Sequence, residues 1–113
     1  MTFGKARALE TEEVEDVVRR FVCASKKFYE AGADGVQLHC AHGYLLSQFV
    51  SPRVNQRTDK YGGSLENRTR ILFEIIAGIK KEVTDPKFLL SIKINSQDVR
   101  TTMHPSPFLL DLD

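Results

Sequence analysis

The residues of greatest chemical interest are two histidines and a tyrosine that lie close together, His39, His42 and Tyr44. Imidazole and phenol groups both donate hydrogen bonds, and both can take part in proton transfer. Lys93 adds an ammonium group within a second, apolar segment, where burial without an anionic partner would be costly. If the fold brings these four side chains to one cavity, we expect a site for an anion, or for an oxygen that becomes negative during a reaction.

Each of these residues also has an ordinary structural explanation. A histidine at a strand end is more often a hydrogen-bonded structural residue than a catalyst, and Tyr44 could be a core aromatic with its hydroxyl at the surface. The pair His39 and His42 with Cys40 between them could bind zinc, but a structural zinc site needs four ligands. Only the distant His104 remains as a further histidine, so we expect no metal.

An amphipathic helix and a short strand precede the histidines. Apolar residues recur every three or four positions from Thr11 to Ala31, which predicts a helix with Thr11 as N-cap and Gly32 as its left-handed stop. A strand should follow from Asp34, with His39 as its last residue. The predicted apolar stripe of the helix consists of Val14, Val17, Val18, Phe21, Ala24, Ser25 and Phe28, and we expect the Cys23 thiol to be buried.

The second half of the chain repeats this order after a long segment, Cys40 to Gly63, which should contain one short helix near residues 44–50. A second helix is predicted from its N-cap Ser64 to about Val83, with the stripe Ile71, Leu72, Ile75, Ile76 and Ile79. A strand from Phe88 to Ile94 follows. This alternation favours an α/β fold with parallel strands joined by a helical crossover. Because reactive groups collect at the carboxyl ends of such strands, the two histidines, Tyr44 and Lys93 should share one edge.

Composition limits the classes of partner. The chain has 113 residues with a formal net charge of +1, so it has no strongly basic surface for nucleic acid or an anionic membrane. No apolar run approaches the roughly 20 residues that cross a bilayer. Two cysteines give no disulfide framework. We therefore expect a cytoplasmic protein that binds neither nucleic acid nor a membrane.

Two long runs of the sequence carry a specific resemblance. Residues 35–52 read GVQLHCAHGYLLSQFVSP, and residues 55–68 read NQRTDKYGGSLENR. The first run closely resembles the fourth-strand region of the old yellow enzymes, which are NADH:flavin oxidoreductases, and the second resembles another signature of that family. The similarity extends with less force from about Phe3 to about Asp98. It implies that residues 1–98 are a fragment of an FMN-binding (β/α)8 TIM barrel, about two βα units. Residues 99–113 diverge from the family pattern, and because the stretch from Thr101 has two prolines and no periodicity, we expect a disordered tail there. A full barrel takes about 250 residues.

The resemblance also implies the cofactors and the role of each residue. It implies FMN at the barrel mouth, NAD(P)H as reductant, and reduction of an activated alkene such as an α,β-unsaturated carbonyl compound. His39 and His42 would bind the substrate oxygen, and Tyr44 would donate a proton to carbon. Lys93 would lie beside flavin N1 and O2, where arginine is the more familiar residue, and it would keep the charge without the bidentate fork. The alternative is an inactive barrel fragment that binds no cofactor by itself. The oligomeric state and the choice between NADH and NADPH stay open.

The second run, Asn55 to Arg68, is predicted to be architectural rather than ligand-binding. Arg68 and Arg70 fall in the first turns of the second helix, where the helix dipole disfavours cations. We therefore expect nearby carboxylates, Asp59 and Glu66, to hold them.

Overall fold

The computed structural model describes residues 7–95, which form two helix–strand units joined by a loop that contains a short helix. This order confirms the α/β prediction. The predicted tail, residues 99–113, lies outside the described residues. The elements are α1 (Thr11–Glu30), β1 (Gly35–Cys40), α2 (Leu45–Val50), α3 (Leu65–Glu82) and β2 (Leu89–Ile94).

Helix α1 begins one residue earlier than the sequence indicated. Its N-cap is Glu10, whose backbone N–H donates to the Glu13 carboxylate at 2.8 Å, as in a capping box. The prediction of Thr11 as N-cap was wrong, because the Thr11 hydroxyl donates instead to Asp59 at 2.7 Å. The stop was predicted correctly, since Gly32 has a φ of +88°.

Part of the predicted stripe on α1 is exposed. Val14 and Ser25 are buried, but Ala24 is exposed and Phe28 is 59% exposed, because no described element covers that edge of the helix. The prediction of a buried Cys23 was also wrong, since its thiol is exposed. Cys23 lies nine residues after Val14, which is about two and a half turns, and so faces the opposite side of the helix.

The two strands pair in parallel and present two different faces. Their register joins Leu38 to Ile92, His39 to Lys93 and Cys40 to Ile94. Leu38 and Cys40 are buried on the face that the helices cover. Side chains alternate along a strand, so Gln37, His39, Ser91 and Lys93 share the other face, where all four are exposed.

The core lies between the helices and this covered face. Ser64 caps α3 by accepting from the Asn67 N–H at 3.2 Å, as predicted, and Ile76 is partly buried rather than buried. The buried residues of α3 are Ile71, Leu72, Ile75 and Ile79, and they pack in one cluster with Val14, Leu38, Cys40, Leu46, Phe49 and Tyr61. On β2, Leu89 and Ile94 remain 68% and 62% exposed. Within residues 7–95, none of the helices combines the length and apolar character that a membrane span requires.

Candidate functional site

The site is built on the carboxyl ends of the two paired strands. His39 was predicted to end β1, but the strand continues to Cys40. Cys40 points into the core, where burial raises the pKa of its thiol. His39 is in register with Lys93, so the imidazole and the ammonium group start from the same exposed face.

The structure brings the three predicted aromatic and imidazole side chains together. The ring centroids of His39 and His42 are 5.4 Å apart, and those of His39 and Tyr44 are 5.1 Å apart. All three residues are exposed, and Tyr44 is 63% exposed. None of these side chains is therefore committed to the core, and all three donors are available to a ligand on this face.

A left-handed turn carries the chain from β1 to Tyr44. His42 has a φ of 58° and Gly43 has a φ of 74°. The left-handed region suits Gly43, whereas for a residue with a Cβ it costs about 1 kcal/mol or more. His42 is the one non-glycine residue with positive φ in the described part of the chain, and this conformation puts its ring beside His39.

Two amide side chains that the sequence did not single out support this turn. Asn95, just after β2, accepts a hydrogen bond from the His42 backbone N–H at 3.2 Å. Gln48, on α2, donates to the Gly43 carbonyl oxygen at 2.6 Å. Gln48 lies one helical turn after Tyr44, a spacing that could have marked it. Nothing in the sequence marked Asn95, because its contact depends on the pairing of the two strands.

The turn passes directly into helix α2. Tyr44 is the N-cap of this helix, and its carbonyl oxygen accepts from the Ser47 hydroxyl at 2.7 Å. Its backbone N–H donates to the Ala41 carbonyl oxygen at 3.2 Å. Tyr44 is thus held at its backbone, while its phenol ring projects from the surface beside His39.

The loop that follows α2 is held by an ion pair. The Arg57 guanidinium donates to Asp59 at 2.9 Å and also donates to the Leu9 carbonyl oxygen. The hydrogen bonds from Arg57, together with that from the Thr11 hydroxyl, hold the pKa of the Asp59 carboxyl well below its usual range. Both side chains are mostly buried, with 16% and 25% exposure. This pair therefore joins the loop to the start of α1.

Tyr61 is the centre of the same loop. It is fully buried and packs against Phe49, and its hydroxyl donates to Glu74 on α3 at 2.8 Å. Burial, together with the adjacent Glu74 carboxylate, raises the pKa of Tyr61 to about 12. The side chains of both Arg57 and Tyr61 are thus engaged in contacts within the protein, as the architectural interpretation of this loop expects.

The predicted partners of the two helix arginines need correction. Arg68 donates to the carbonyl oxygens of Val50 and Gly63, and Arg70 donates to that of Lys60 at 2.8 Å. Glu66 approaches Arg70 only to 3.9 Å, and Asp59 pairs with Arg57 instead. Carbonyl oxygens at the end of α2 and in the following loop are thus the main partners of these guanidinium groups, and of the two predicted carboxylates only Glu66 contributes, through its long ion pair with Arg70.

The chemistry of the exposed face fits an electron-rich ligand. Lys93 has no ion-pair or hydrogen-bond partner among residues 7–95, so its charge is available. The same face carries the imidazoles of His39 and His42 and the phenol of Tyr44. No group of three or more histidine, cysteine or acidic side chains in the described part of the chain could hold a metal ion.

A cavity of about 270 Å³ lies on another side of α2. Its walls come from residues 7–9, from Leu45, Gln48 and Phe49, and from residues 54–57. Neither histidine contributes to it, and nor do Tyr44 and Lys93. It therefore does not contain the four strand-end side chains, although Gln48 both lines it and supports the His42–Gly43 turn.

Comparison with known proteins gives the family. The model described as the NADH:flavin oxidoreductase / NADH oxidase family matches residues 2–106. An NADH-dependent flavin oxidoreductase of Aspergillus parasiticus is 50% identical over 95 residues, which are 84% of this chain and 21% of the relative. The 12-oxophytodienoate reductase 1 of Oryza sativa is 48% identical over 83 residues, 74% of this chain and 22% of the relative. The chain thus spans about a fifth of the length of these relatives.

Two solved structures share the arrangement of the elements. Histamine dehydrogenase from a Rhizobium species matches with a TM-score of 0.78 and 38% identity, over 85% of this chain and 14% of that one. A 2-naphthoyl-CoA reductase in complex with 2-naphthoyl-CoA matches with a TM-score of 0.70 and 41% identity, over 74% of this chain and 13% of that one.

Proposed function

Because the chain belongs to the NADH:flavin oxidoreductase / NADH oxidase family of old yellow enzymes, we propose that it forms the substrate-oxygen site of an FMN-dependent oxidoreductase. In this proposal NAD(P)H is the reductant and the substrate is an activated alkene. The observation that carries the proposal is the grouping of His39, His42 and Tyr44 on the exposed face that also bears Lys93, which has no side-chain partner among residues 7–95.

The proposed architecture is two consecutive units of a (β/α)8 barrel. In such a barrel the strands are parallel neighbours, the helices cover their outer face, and active sites form at the carboxyl ends of the strands. Strands β1 and β2 are parallel neighbours, and α1 and α3 both pack against the same buried cluster. The exposed polar face with Gln37, His39 and Lys93 would then be the interior face of the barrel.

The cofactor assignment rests on the family, and the positive charge of Lys93 fits it. The chemistry that bound FMN supplies is the transfer of a hydride from NAD(P)H to the substrate. Lys93 would hold the electron-rich edge of the ring system, because an ammonium group stabilises adjacent negative charge. It has no carboxylate partner among the described residues that would neutralise it.

The two imidazoles would bind the carbonyl oxygen of the substrate. Hydrogen bonds from His39 and His42 withdraw electron density from the conjugated double bond and stabilise the negative charge that develops on the oxygen. Because the two rings are 5.4 Å apart, one oxygen atom can accept from both. The related 12-oxophytodienoate reductases are named for a substrate with an oxo group and carbon–carbon double bonds, which supports this substrate class.

Tyr44 would complete the reaction as the proton donor. Its phenol is exposed beside His39, and a tyrosine hydroxyl can act as a general acid toward an enolate carbon. Its backbone is fixed as the N-cap of α2, and this limits the positions that the hydroxyl can reach.

The alternative is a chain that binds no cofactor by itself. The observation that favours it is the exposure of Leu89 and Ile94 on β2, apolar groups of a kind that barrels usually cover with neighbouring elements. A colourless 113-residue chain that does not retain added FMN would support this alternative.

The proposal is tested with two variants of the FMN-loaded protein, in the longest native chain that contains this segment. We expect Tyr44→Phe to slow substrate reduction by about 100-fold, because general acid catalysis contributes this much, and to leave flavin reduction by NAD(P)H unchanged. We expect His42→Ala to raise the Kd of a para-substituted phenol by about tenfold, because a hydrogen bond to a charged oxygen is lost. Stopped-flow absorbance measures both half-reactions, and titration measures phenol binding.

Tyr29→Phe is the matched control. It removes a hydroxyl that donates to Asp85, far from the strand-end site, and should change neither measurement. Equal losses in both half-reactions for Tyr44→Phe would contradict the proton-donor role, and unchanged phenol affinity in His42→Ala would contradict the oxygen-binding role.

A further inference from the structure

We propose that Asn95 is a positioning residue, which fixes the left-handed His42–Gly43 turn to the end of β2 and so sets the spacing of the two imidazoles. The inference rests on the proposed function, because it concerns the same site. Its central observation is the hydrogen bond from the His42 backbone N–H to the Asn95 side-chain oxygen at 3.2 Å.

The turn needs support from outside its own backbone. His42 follows the end of β1 at Cys40, so the strand ladder does not reach its N–H. Its φ of 58° is a conformation that a residue with a Cβ seldom keeps unless its surroundings hold it there. The Asn95 oxygen holds this residue from the β2 side. On the α2 side, the Gln48 side chain holds the next residue by donating to the Gly43 carbonyl oxygen at 2.6 Å.

The position of Asn95 explains why this contact matters for the proposed chemistry. Asn95 follows Ile94, the last residue of β2, and lies two residues after Lys93. The hydrogen bond therefore ties the turn with the oxygen-binding imidazole to the strand that carries the cation. The separation between the substrate oxygen and the charge of Lys93 would then be set by the strand pair rather than by the turn alone.

The choice of side chain fits this role as well. An amide oxygen accepts the His42 N–H without adding a charge. A carboxylate at the same position would also accept it, but would place a negative charge close to a site that binds a negative oxygen. The two functions of the position, geometry and neutrality, can thus be separated by one pair of substitutions.

The first measurement needs no cofactor. In the ¹⁵N-labelled 113-residue chain, we expect Asn95→Ala to accelerate hydrogen exchange at the His42 amide by about fivefold, as expected for one lost hydrogen bond. Asn95→Asp keeps an acceptor at the same atom and should restore the slow exchange. Ser91→Ala is the matched control, because it removes a side-chain hydrogen bond of the same length, from Gln37 at 3.2 Å, on the same strand but away from the turn.

The second measurement uses the FMN-loaded protein. We expect Asn95→Ala to raise the Kd of a para-substituted phenol by about fivefold at unchanged flavin content, and Asn95→Asp to raise it at high pH, where the phenol is ionised, despite its intact turn. In the His42→Ala background, Asn95→Ala should have no further effect on phenol binding, because Asn95 acts on the phenol through the position of the His42 imidazole, which that background lacks.

The outcomes separate this inference from the proposed function. If His42→Ala weakens phenol binding but Asn95→Ala does not, the positioning role is overturned and the oxygen site stands. If His42→Ala leaves phenol binding unchanged, the oxygen site is overturned, and with it the functional part of the inference. Fast exchange of the His42 amide in Asn95→Asp, or unchanged exchange in Asn95→Ala, overturns the contact itself. The Asp variant keeps the test decisive if the Ala variant does not fold.

Discussion

The strand-end segment, residues 39–44, differs sharply from the loop of residues 55–64 and the first turns of α3 that it covers, although the two regions are close in the sequence. The loop contains more charged groups, but its ionic side chains are engaged within the protein: Arg57 with Asp59, and Arg68 and Arg70 with backbone carbonyl oxygens. The strand-end segment has fewer polar groups, and they are exposed. Its backbone, by contrast, is held in a left-handed turn by Asn95 and Gln48.

This difference shows that the two segments have different roles. In the loop, side chains hold other parts of the chain in place, and their polar groups already have hydrogen-bond or ion-pair partners within the protein. In the strand-end segment, amide groups hold the backbone, and the imidazoles and the phenol make no side-chain hydrogen bond to any residue between 7 and 95. A functional site is therefore better recognised by reactive groups that are positioned but unpaired than by a concentration of reactive residues.

The largest effect on stability is expected when a tyrosine in each region is replaced by alanine. Tyr61→Ala should lower the free energy of unfolding by about 3–5 kcal/mol, because it empties a fully buried aromatic position next to Phe49. Tyr44→Ala should change it by less than about 0.5 kcal/mol, because Tyr44 is 63% exposed. Urea unfolding, followed by circular dichroism, measures both changes.

Tyr61→Phe refines this comparison. It keeps the ring and removes only the hydrogen bond to Glu74, so we expect a loss of about 2 kcal/mol, with the Glu74 carboxylate left without that donor. Similar losses for Tyr44→Ala and Tyr61→Ala would show that the strand-end segment also carries the fold, and would end the distinction between the two regions.

The second prediction uses pH to measure how much the Asp59 carboxylate in the loop contributes to the free energy of unfolding. Asp59→Asn should lower the free energy of unfolding at pH 7 by about 2 kcal/mol, because it breaks the charged hydrogen bonds from Arg57 and Thr11. The pKa of Asp59 is lowered in the folded state, chiefly by Arg57. The carboxylate therefore stabilises the fold fully above its unfolded pKa of about 3.9, and this contribution is lost as the pH falls toward the lower folded pKa.

The stability difference between the wild type and Asp59→Asn should thus be constant above about pH 5 and shrink steadily below about pH 4. Urea titrations at stepped pH values measure it. Asp34→Asn is the control, since the exposed Asp34 side chain makes no hydrogen bond or ion pair with any residue in the range 7–95. A difference that grows on acidification would refute the assignment of the Arg57–Asp59 pair.

The sequence predicted the elements well because their signals are local. Apolar spacing located α3 and its stripe, and Ser64 and Gly32 marked a helix start and a helix stop. The errors arose where a side chain had a distant partner or none. Thr11 resembled an N-cap, but its hydroxyl is taken by Asp59, 48 residues away. Phe28 fitted the stripe, but no described element covers it.

The site was predictable in part for the same reason. His39, His42 and Tyr44 all lie within residues 39–44, so their proximity in space follows from their proximity in sequence. The family resemblance supplied their proposed roles. Parallel strands predicted that Lys93 would lie at the same edge as His39, whereas their direct pairing depends on the strand register. The contact between Asn95 and His42 was not predictable, because it depends on strand register and on the positive φ of His42, and a histidine gives no local signal for that conformation.

The smallest expected effect concerns backbone strain and compares the two turns directly. Gly63, in the loop, has a φ of +82° with open space where a Cβ would be, so Gly63→Ala should lower the free energy of unfolding by about 1 kcal/mol from conformation alone. His42→Gly is expected to change the free energy of unfolding in the opposite direction. It removes a Cβ at a φ of 58° and should raise the free energy of unfolding by up to about 1 kcal/mol, less the entropy cost of glycine, while phenol binding is lost with the imidazole. Urea unfolding of both variants decides the matter, because a clear loss of stability in His42→Gly would mean that the histidine side chain holds its own turn. A higher free energy of unfolding in His42→Gly would mean that the wild-type segment is less stable than it could be because it keeps an imidazole beside His39.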